Sequence, residues 1–226
     1  MEDKEFESLI SACSEIGELF PEGLVFIGGI AVYLHAINHD RTRQYAESTH
    51  DADFYISIAD MADLRDLEEV TSNRRLSKHQ MVKKGFEFDI YTERLSALVV
   101  PYDVIAAHAI RYGGIRVAAL EHLMVLKLEA FLDRKGSAKG EKDAKDLLRI
   151  GAVADERDQG FRPDLALPYL RDEHLELLEV VERGPYAASL SRGNAVEAKR
   201  LRGCFSTIAK GFVDRHGPRN PRRFGR

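Results

Sequence analysis

The apolar run Leu24-Val25-Phe26-Ile27 ends on the pair Gly28-Gly29, and a polar loop then leads to Asp51-Ala52-Asp53-Phe54. These two segments restrict the fold more than any other stretch of the chain. Four apolar residues in a row read as a short strand buried on both faces. Glycines placed directly after it let the backbone turn tightly into a helix, whose first amides lack partners and attract anions. A plain strand–helix turn uses the same pair. Asp51–Ile58 reads as a second strand, and successive side chains on a strand point to opposite faces. Asp51 and Asp53 therefore share one face, roughly 7 Å apart at Cα, while Ala52 and Phe54 point into the core.

The surrounding pattern mixes both periods. Phe6, Leu9, Ile10, Cys13, Ile16, Gly17 and Phe20 follow helical spacing over residues 4–20, and Pro21-Glu22-Gly23 breaks it. Ile30–Ile37 reads as a short apolar helix, and Met61–Thr71 as another with Asp60 at its N-cap. Phe86, Phe88 and Ile90 alternate with Glu87, Asp89 and Tyr91, the signature of a half-buried strand. Ala97–Val100 reads as a further strand, Val104–Tyr112 as a short helix or turn, and Ile115–Val117 after Gly113-Gly114 as a hairpin strand. From Leu120 to about residue 210 the pattern is helical. The expectation is an α+β fold: a small mixed sheet flanked by helices in residues 1–118, and a helical lobe in 119–226.

With 226 residues, 44% of them hydrophobic, the chain can bury a substantial core. No apolar run approaches the roughly 20 residues a membrane helix needs, and MEDKEFESLI lacks the layout of a leader. The two cysteines, Cys13 and Cys204, have no metal-type spacing, which makes a reducing cytoplasm the expected setting. A net charge of −4 argues against a general nucleic-acid coat. The final stretch RHGPRNPRRFGR nevertheless carries five arginines and no acid, a composition suited to contact with a polyanion such as RNA or to simple solvation.

The acids carry the chemistry. Magnesium prefers hard oxygen ligands, often one or two carboxylates completed by water and substrate phosphates. Asp51 and Asp53 fit that need, and Asp89 joins them if its strand is a neighbour. Two metals can clamp the attacking and leaving oxygens of phosphoryl or nucleotidyl transfer, and the third acid can hold metal or accept a proton. Lys127 falls at the centre of the apolar stripe Leu120, Leu123, Met124, Leu128 and Phe131. A buried ammonium without an anion is costly, so Lys127 calls for a triphosphate or a carboxylate. Asp143 and Asp146, three apart on the next helix, suit a favourable first turn or the orienting of Lys127 or a substrate hydroxyl.

At these residues the chain resembles the DNA-polymerase-β-like nucleotidyltransferase superfamily. The pattern is Phe26-Ile27-Gly28-Gly29, then Asp51-Ala52-Asp53-Phe54, then Asp89. Leu126-Lys127-Leu128 and Lys142-Asp143-Ala144-Lys145-Asp146 extend the resemblance to the AbiEii-type abortive-infection and toxin group, over roughly residues 22–150. Glu47 stands where relatives commonly carry an arginine. The resemblance implies that Asp51 and Asp53 bind magnesium and that Asp89 completes the acids. It implies that Gly28, Gly29, Thr49 and Lys127 handle the triphosphate, with Asp143 and Asp146 beside them. It also implies an RNA or tRNA acceptor and an antitoxin partner.

Two other readings remain open at this point. The same chemistry serves a small-molecule acceptor, as in antibiotic-modifying enzymes, and would show a pocket rather than a basic groove. A silent nucleotide- or partner-binding protein on this fold would be expected to lose one of the acids. A hydrolase built on histidines is disfavoured, because His35, His39 and His50 show no ligand spacing.

Overall fold

The structure is a computed structural model that describes residues 2–96 and 98–216. Its elements run α1 (Glu2–Leu19), β1 (Leu24–Ile27), α2 (Gly28–Ile37), β2 (Asp51–Ile56), α3 (Ile58–Leu67), β3 (Thr71–Asn73), β4 (Lys78–Lys83), β5 (Phe86–Tyr91), α4 (Tyr102–Ala107), β6 (Ile110–Tyr112) and β7 (Ile115–Val117). Five helices follow: α5 (Leu120–Arg134), α6 (Ala138–Glu156), α7 (Asp172–Arg183), α8 (Tyr186–Leu190) and α9 (Ala195–His216). The strands form one seven-stranded mixed sheet in the order β3-β4-β5-β2-β1-β7-β6. The chain is α+β, as its pattern predicts.

The centre of the sheet is apolar. Phe26, Phe54 and Phe88 are fully buried on β1, β2 and β5, and the Phe26 and Phe54 rings meet edge to face at 5.7 Å. Each such ring contributes on the order of 1.5–3 kcal/mol by leaving water. Gly17 of α1 lies against the Phe26 ring, so α1 covers the phenylalanine face. Strand alternation turns the side chains of Asp51, Asp53 and Asp89 to the other face. There α5 and α6, joined by Lys135–Ser137, pack against each other and against α2. Ser137 caps α6 by accepting a hydrogen bond from the Gly140 amide at 3.1 Å.

Several element boundaries differ from those read in the sequence. The helix expected at 61–71 starts three residues earlier and ends at Leu67. Its N-cap is Ser57, whose hydroxyl accepts from the Asp60 amide at 3.0 Å, so Asp60 is the third helical residue rather than the cap. The Ser57 hydroxyl also donates to the Asp60 carboxylate, while the Ser57 amide bonds the Gly23 carbonyl, and the strand before the cap ends at Ile56. The helix after β1 includes both glycines. Residues 98–100 form no strand, and Ala97 lies outside the described residues. Residues 104–112 resolve into the end of α4 and the strand β6, paired with β7 across Gly113-Gly114. Strands β3 and β4 were not anticipated. Lys84 and Gly85, both at positive φ (53° and 84°), form the two-residue hairpin turn that joins β4 to β5.

Candidate functional site

Strand pairing gathers the acids. Parallel pairing of β2 with β5 sets Asp53 opposite Asp89, and antiparallel pairing of β1 with β2 sets Ile27 opposite Asp53. The residue after Ile27 thus lands on the Asp53 carboxylate. That residue is Gly28, with φ of +66°, and a Cβ there would lie 2.1 Å from Asp53 Oδ2. Only glycine accepts both the left-handed backbone and the close approach. Gly29 faces Thr49, whose Oγ1 would be 3.4 Å from a Cβ built on the glycine. The same hydroxyl donates to Asp51 Oδ1 at 2.6 Å. Among the described residues no side chain caps the N-terminus of α2, and no acid occupies its first turn, so its leading amides keep the positive end of a helix dipole facing the acids.

Gly28, Gly29, Thr49, Asp51, Asp53 and Asp89 border one cleft of about 440 Å³, and Lys127 and Asp143 line its other wall. That volume lies within the usual range for small-molecule sites. Asp146 is nearly fully buried and stands behind Lys127 rather than in the cleft. The Lys127 ammonium is 3.1 Å from Asp143 and 2.6 Å from Asp146. Burial pulls its pKa down, but the two aspartates outweigh burial and raise it. Lys127 is therefore held as a charged group by carboxylates from α6, one of the two anion classes its position calls for.

The network continues on both sides. Arg134 binds Asp143 through its Nε and Nη2. Arg149, nearly fully buried, donates to Asp146 Oδ1 at 2.7 Å, to the Tyr45 carbonyl at 2.7 Å and to Glu47. Burial raises the Asp146 pKa, but Lys127 and Arg149 outweigh it and hold the carboxyl below its ordinary range. Glu47 is thus the partner of an arginine supplied by α6.

Asp53 is electrostatically the most stressed of the acids. Burial, reinforced by Asp51 and Asp89, pushes its carboxyl up to about 6. Among the described residues it accepts one long side-chain hydrogen bond, from Tyr91 at 3.3 Å. Burial alone would also raise Asp51, but the Thr49 hydroxyl and the charges of Lys142 and Lys139 outweigh it and lower its pKa. Asp89 is differently placed: Lys78 forms an ion pair with its Oδ2, and Gln80 donates to its Oδ1 at 3.0 Å. Among the described residues, no three His, Cys, Asp or Glu side chains are already disposed around a common metal position. The donor set still fits a hard divalent cation. Asp51 and Asp53 supply carboxylate oxygens, and a cation would offset the burial and repulsion that make Asp53 hard to ionise.

Further residues complete the site: Lys139, Lys78 and Gln80, which the sequence did not single out, and Lys142, which it gave only as part of the Lys142–Asp146 run. Lys139 and Lys142, in the first turns of α6, border it, and Lys142 reaches Thr49 at 3.4 Å. Lys78 and Gln80 come from the unanticipated strand β4. The alternation of buried His79 and Met81 with Lys78 and Gln80 was the available signal.

No family model matches the chain, and no curated protein matches it. Solved structures do. JHP933 from Helicobacter pylori is 17% identical with a TM-score of 0.51, over 95% of this chain and 95% of that one. An H. pylori protein assigned provisionally as a nucleotidyltransferase is also 17% identical, with a TM-score of 0.50 over 95% and 97%. An antigenic nucleotidyltransferase-like protein from Paracoccidioides brasiliensis is 17% identical with a TM-score of 0.50, over 84% and 93%. At such identity the likeness is one of fold: this chain has a nucleotidyltransferase-like architecture.

Proposed function

We propose that this chain is a magnesium-dependent nucleotidyltransferase that moves a nucleoside monophosphate from a nucleoside triphosphate to an acceptor hydroxyl. The observation that carries the reading is the convergence of Asp51, Asp53 and Asp89 beside the uncapped start of α2 in one cleft. Asp51 and Asp53 would hold magnesium, which neutralises phosphate charge and acidifies or orients bound oxygens. Gly28 and Gly29 offer backbone amides to phosphate oxygens. Lys142 and Lys139 add positive charge beside Asp51. Lys127, fixed by Asp143 and Asp146, sets the potential of the opposite wall. The acceptor oxygen attacks the α-phosphorus as the bond to the bridging oxygen breaks. Pyrophosphate leaves, and the hydroxyl proton passes toward Asp89.

The acceptor we propose is RNA, including tRNA ends, and the setting a toxin paired with an antitoxin. Supporting this are the motif resemblance and the five arginines of the C-terminal stretch, of which residues 217–226 lie outside the described ones. The test incubates the full chain with magnesium, each labelled triphosphate in turn and total RNA, beside Asp51→Asn/Asp53→Asn. Label in RNA that depends on both aspartates supports the reading and names the nucleotide. Label transferred only to small molecules replaces the acceptor. Triphosphate binding without transfer to any acceptor points to a silent binding protein.

A further inference from the structure

Three acids converge on the cleft, yet they are not equivalent. Lys78 and Gln80 stand two apart on β4 and face the same side as Asp89, because β4 pairs antiparallel with β5 and sets Gln80 opposite Asp89. The side chains of Lys78 and Asp89 are only 15% and 17% exposed, so their ion pair is largely withdrawn from water. Gln80 is itself held: Asn73 donates to its Oε1 at 3.0 Å, which turns its amide nitrogen toward Asp89. The Lys78 backbone is anchored as well. Ser77, just before it, has φ of +50°, and its carbonyl accepts from the Ser96 hydroxyl at 2.6 Å. Both Asp89 oxygens thus have protein donors aimed at them by a second layer of contacts. Among the described residues, Asp53 accepts one long side-chain bond, from Tyr91.

We infer that Lys78 serves as a built-in cation for Asp89, so that the resting cleft takes one divalent ion, on Asp51 and Asp53, and a second only when Lys78 is displaced. This rests on the reading of Asp51 and Asp53 as a metal site. A pair so little exposed resists exchange with a hydrated ion, because the entering ion must shed water while the displaced ammonium is left partly buried without its carboxylate. Gln80 keeps Asp89 in place but carries no charge, so removing the Lys78 charge leaves an oriented carboxylate with only neutral support. Lys78 is a positioning residue: it acts on the acid rather than on the nucleotide.

The experiment titrates Mn²⁺ into the full chain without nucleotide and counts bound ions by electron paramagnetic resonance, with circular dichroism confirming the fold of every variant. Wild type is expected to bind one ion per chain, lost in Asp51→Asn/Asp53→Asn. Lys78→Gln and Lys78→Met are each expected to bind two, the second lost again on adding Asp89→Asn. Lys78→Arg is expected to stay at one. Two ions in wild type, or one in either neutral folded variant, overturns the inference while leaving the Asp51–Asp53 site standing. No ion in wild type overturns that metal site and the inference together. If one neutral variant fails to fold, the other decides.

Discussion

A Cβ placed on Gly28 would sit 2.1 Å from Oδ2 of Asp53, closer than any real pair of such atoms. The turn that opens α2 and the central acid of the cleft are therefore fitted to one another. Gly28→Ala must both accept φ of +66° and push the carboxylate aside. The backbone term alone costs about 1–2 kcal/mol. The expected outcome is a lower urea midpoint together with loss of Mn²⁺ binding. Gly29→Ala, with ordinary contact to Thr49, is expected to keep the ion.

The triphosphate is expected to depend more on Lys142 and Lys139 than on any release of Lys127 from its carboxylates. Lys142→Gln and Lys139→Gln should each weaken triphosphate binding roughly tenfold, about 1.4 kcal/mol in the binding constant. Isothermal titration calorimetry with a non-hydrolysable triphosphate reads this directly. An unchanged affinity in the double variant would move the phosphate site elsewhere in the cleft.

The buried charges that tie α6 to the loop before β2 should be costly to break. Arg149→Met strips Asp146 of one partner and leaves the Tyr45 carbonyl without its donor. Removing one member of a buried ion pair typically costs about 3–5 kcal/mol. Glu47, with a side chain 49% exposed, makes a pair that belongs nearer the surface range, so Glu47→Gln should cost under about 1 kcal/mol. Urea unfolding of the two variants checks the contrast.

Acid should destabilise the fold through two buried histidines. His35 places Nε2 at 2.9 Å from the Ala118 carbonyl and Nδ1 at 2.9 Å from the Tyr112 hydroxyl. The neutral ring satisfies both, donating to the carbonyl and accepting from the hydroxyl. Burial lowers its pKa from 6.5 to about 4. His122, also buried, is lowered from 6.5 to about 4 by burial and by His108. Between those values the unfolded chain binds protons that the folded chain refuses. Stability is thus full above about pH 6.5 and is lost as pH falls toward 4. At pH 5.5 the loss is about 1.4 kcal/mol per histidine by linkage. Urea unfolding at pH 7.5 and 5.5 measures it, and the acid loss in His35→Gln should be smaller than in wild type by the His35 share, about 1.4 kcal/mol.

Much of the site was legible because its parts are local. The alternation around Asp51 and Asp53, the glycine pair after an apolar strand, and Lys127 at the centre of an apolar stripe all follow from period and steric permission. The period-two run at 86–91 likewise placed Asp89 on the face away from Phe88. The misplaced helix start at Asp60 came from reading one acid as a cap when Ser57 was the stronger candidate. Strand β4 was missed because Lys78, Gln80 and Lys83 mask its two buried residues, His79 and Met81.

The sequence by itself determined which side chains share a face: Asp51 with Asp53, Asp89 opposite Phe88, and Lys127 among leucines. Backbone periodicity and glycine's missing Cβ act within a few residues and need no knowledge of the rest of the chain. Only the tertiary structure decided the partners. It gave Lys127 to Asp143 and Asp146, Arg149 to Glu47, and Lys78 to Asp89. Those choices depend on strand register and helix packing between segments far apart in the chain. Buried charges then take whichever opposite charge the packing brings within reach, because leaving one unpaired costs more than any local preference returns.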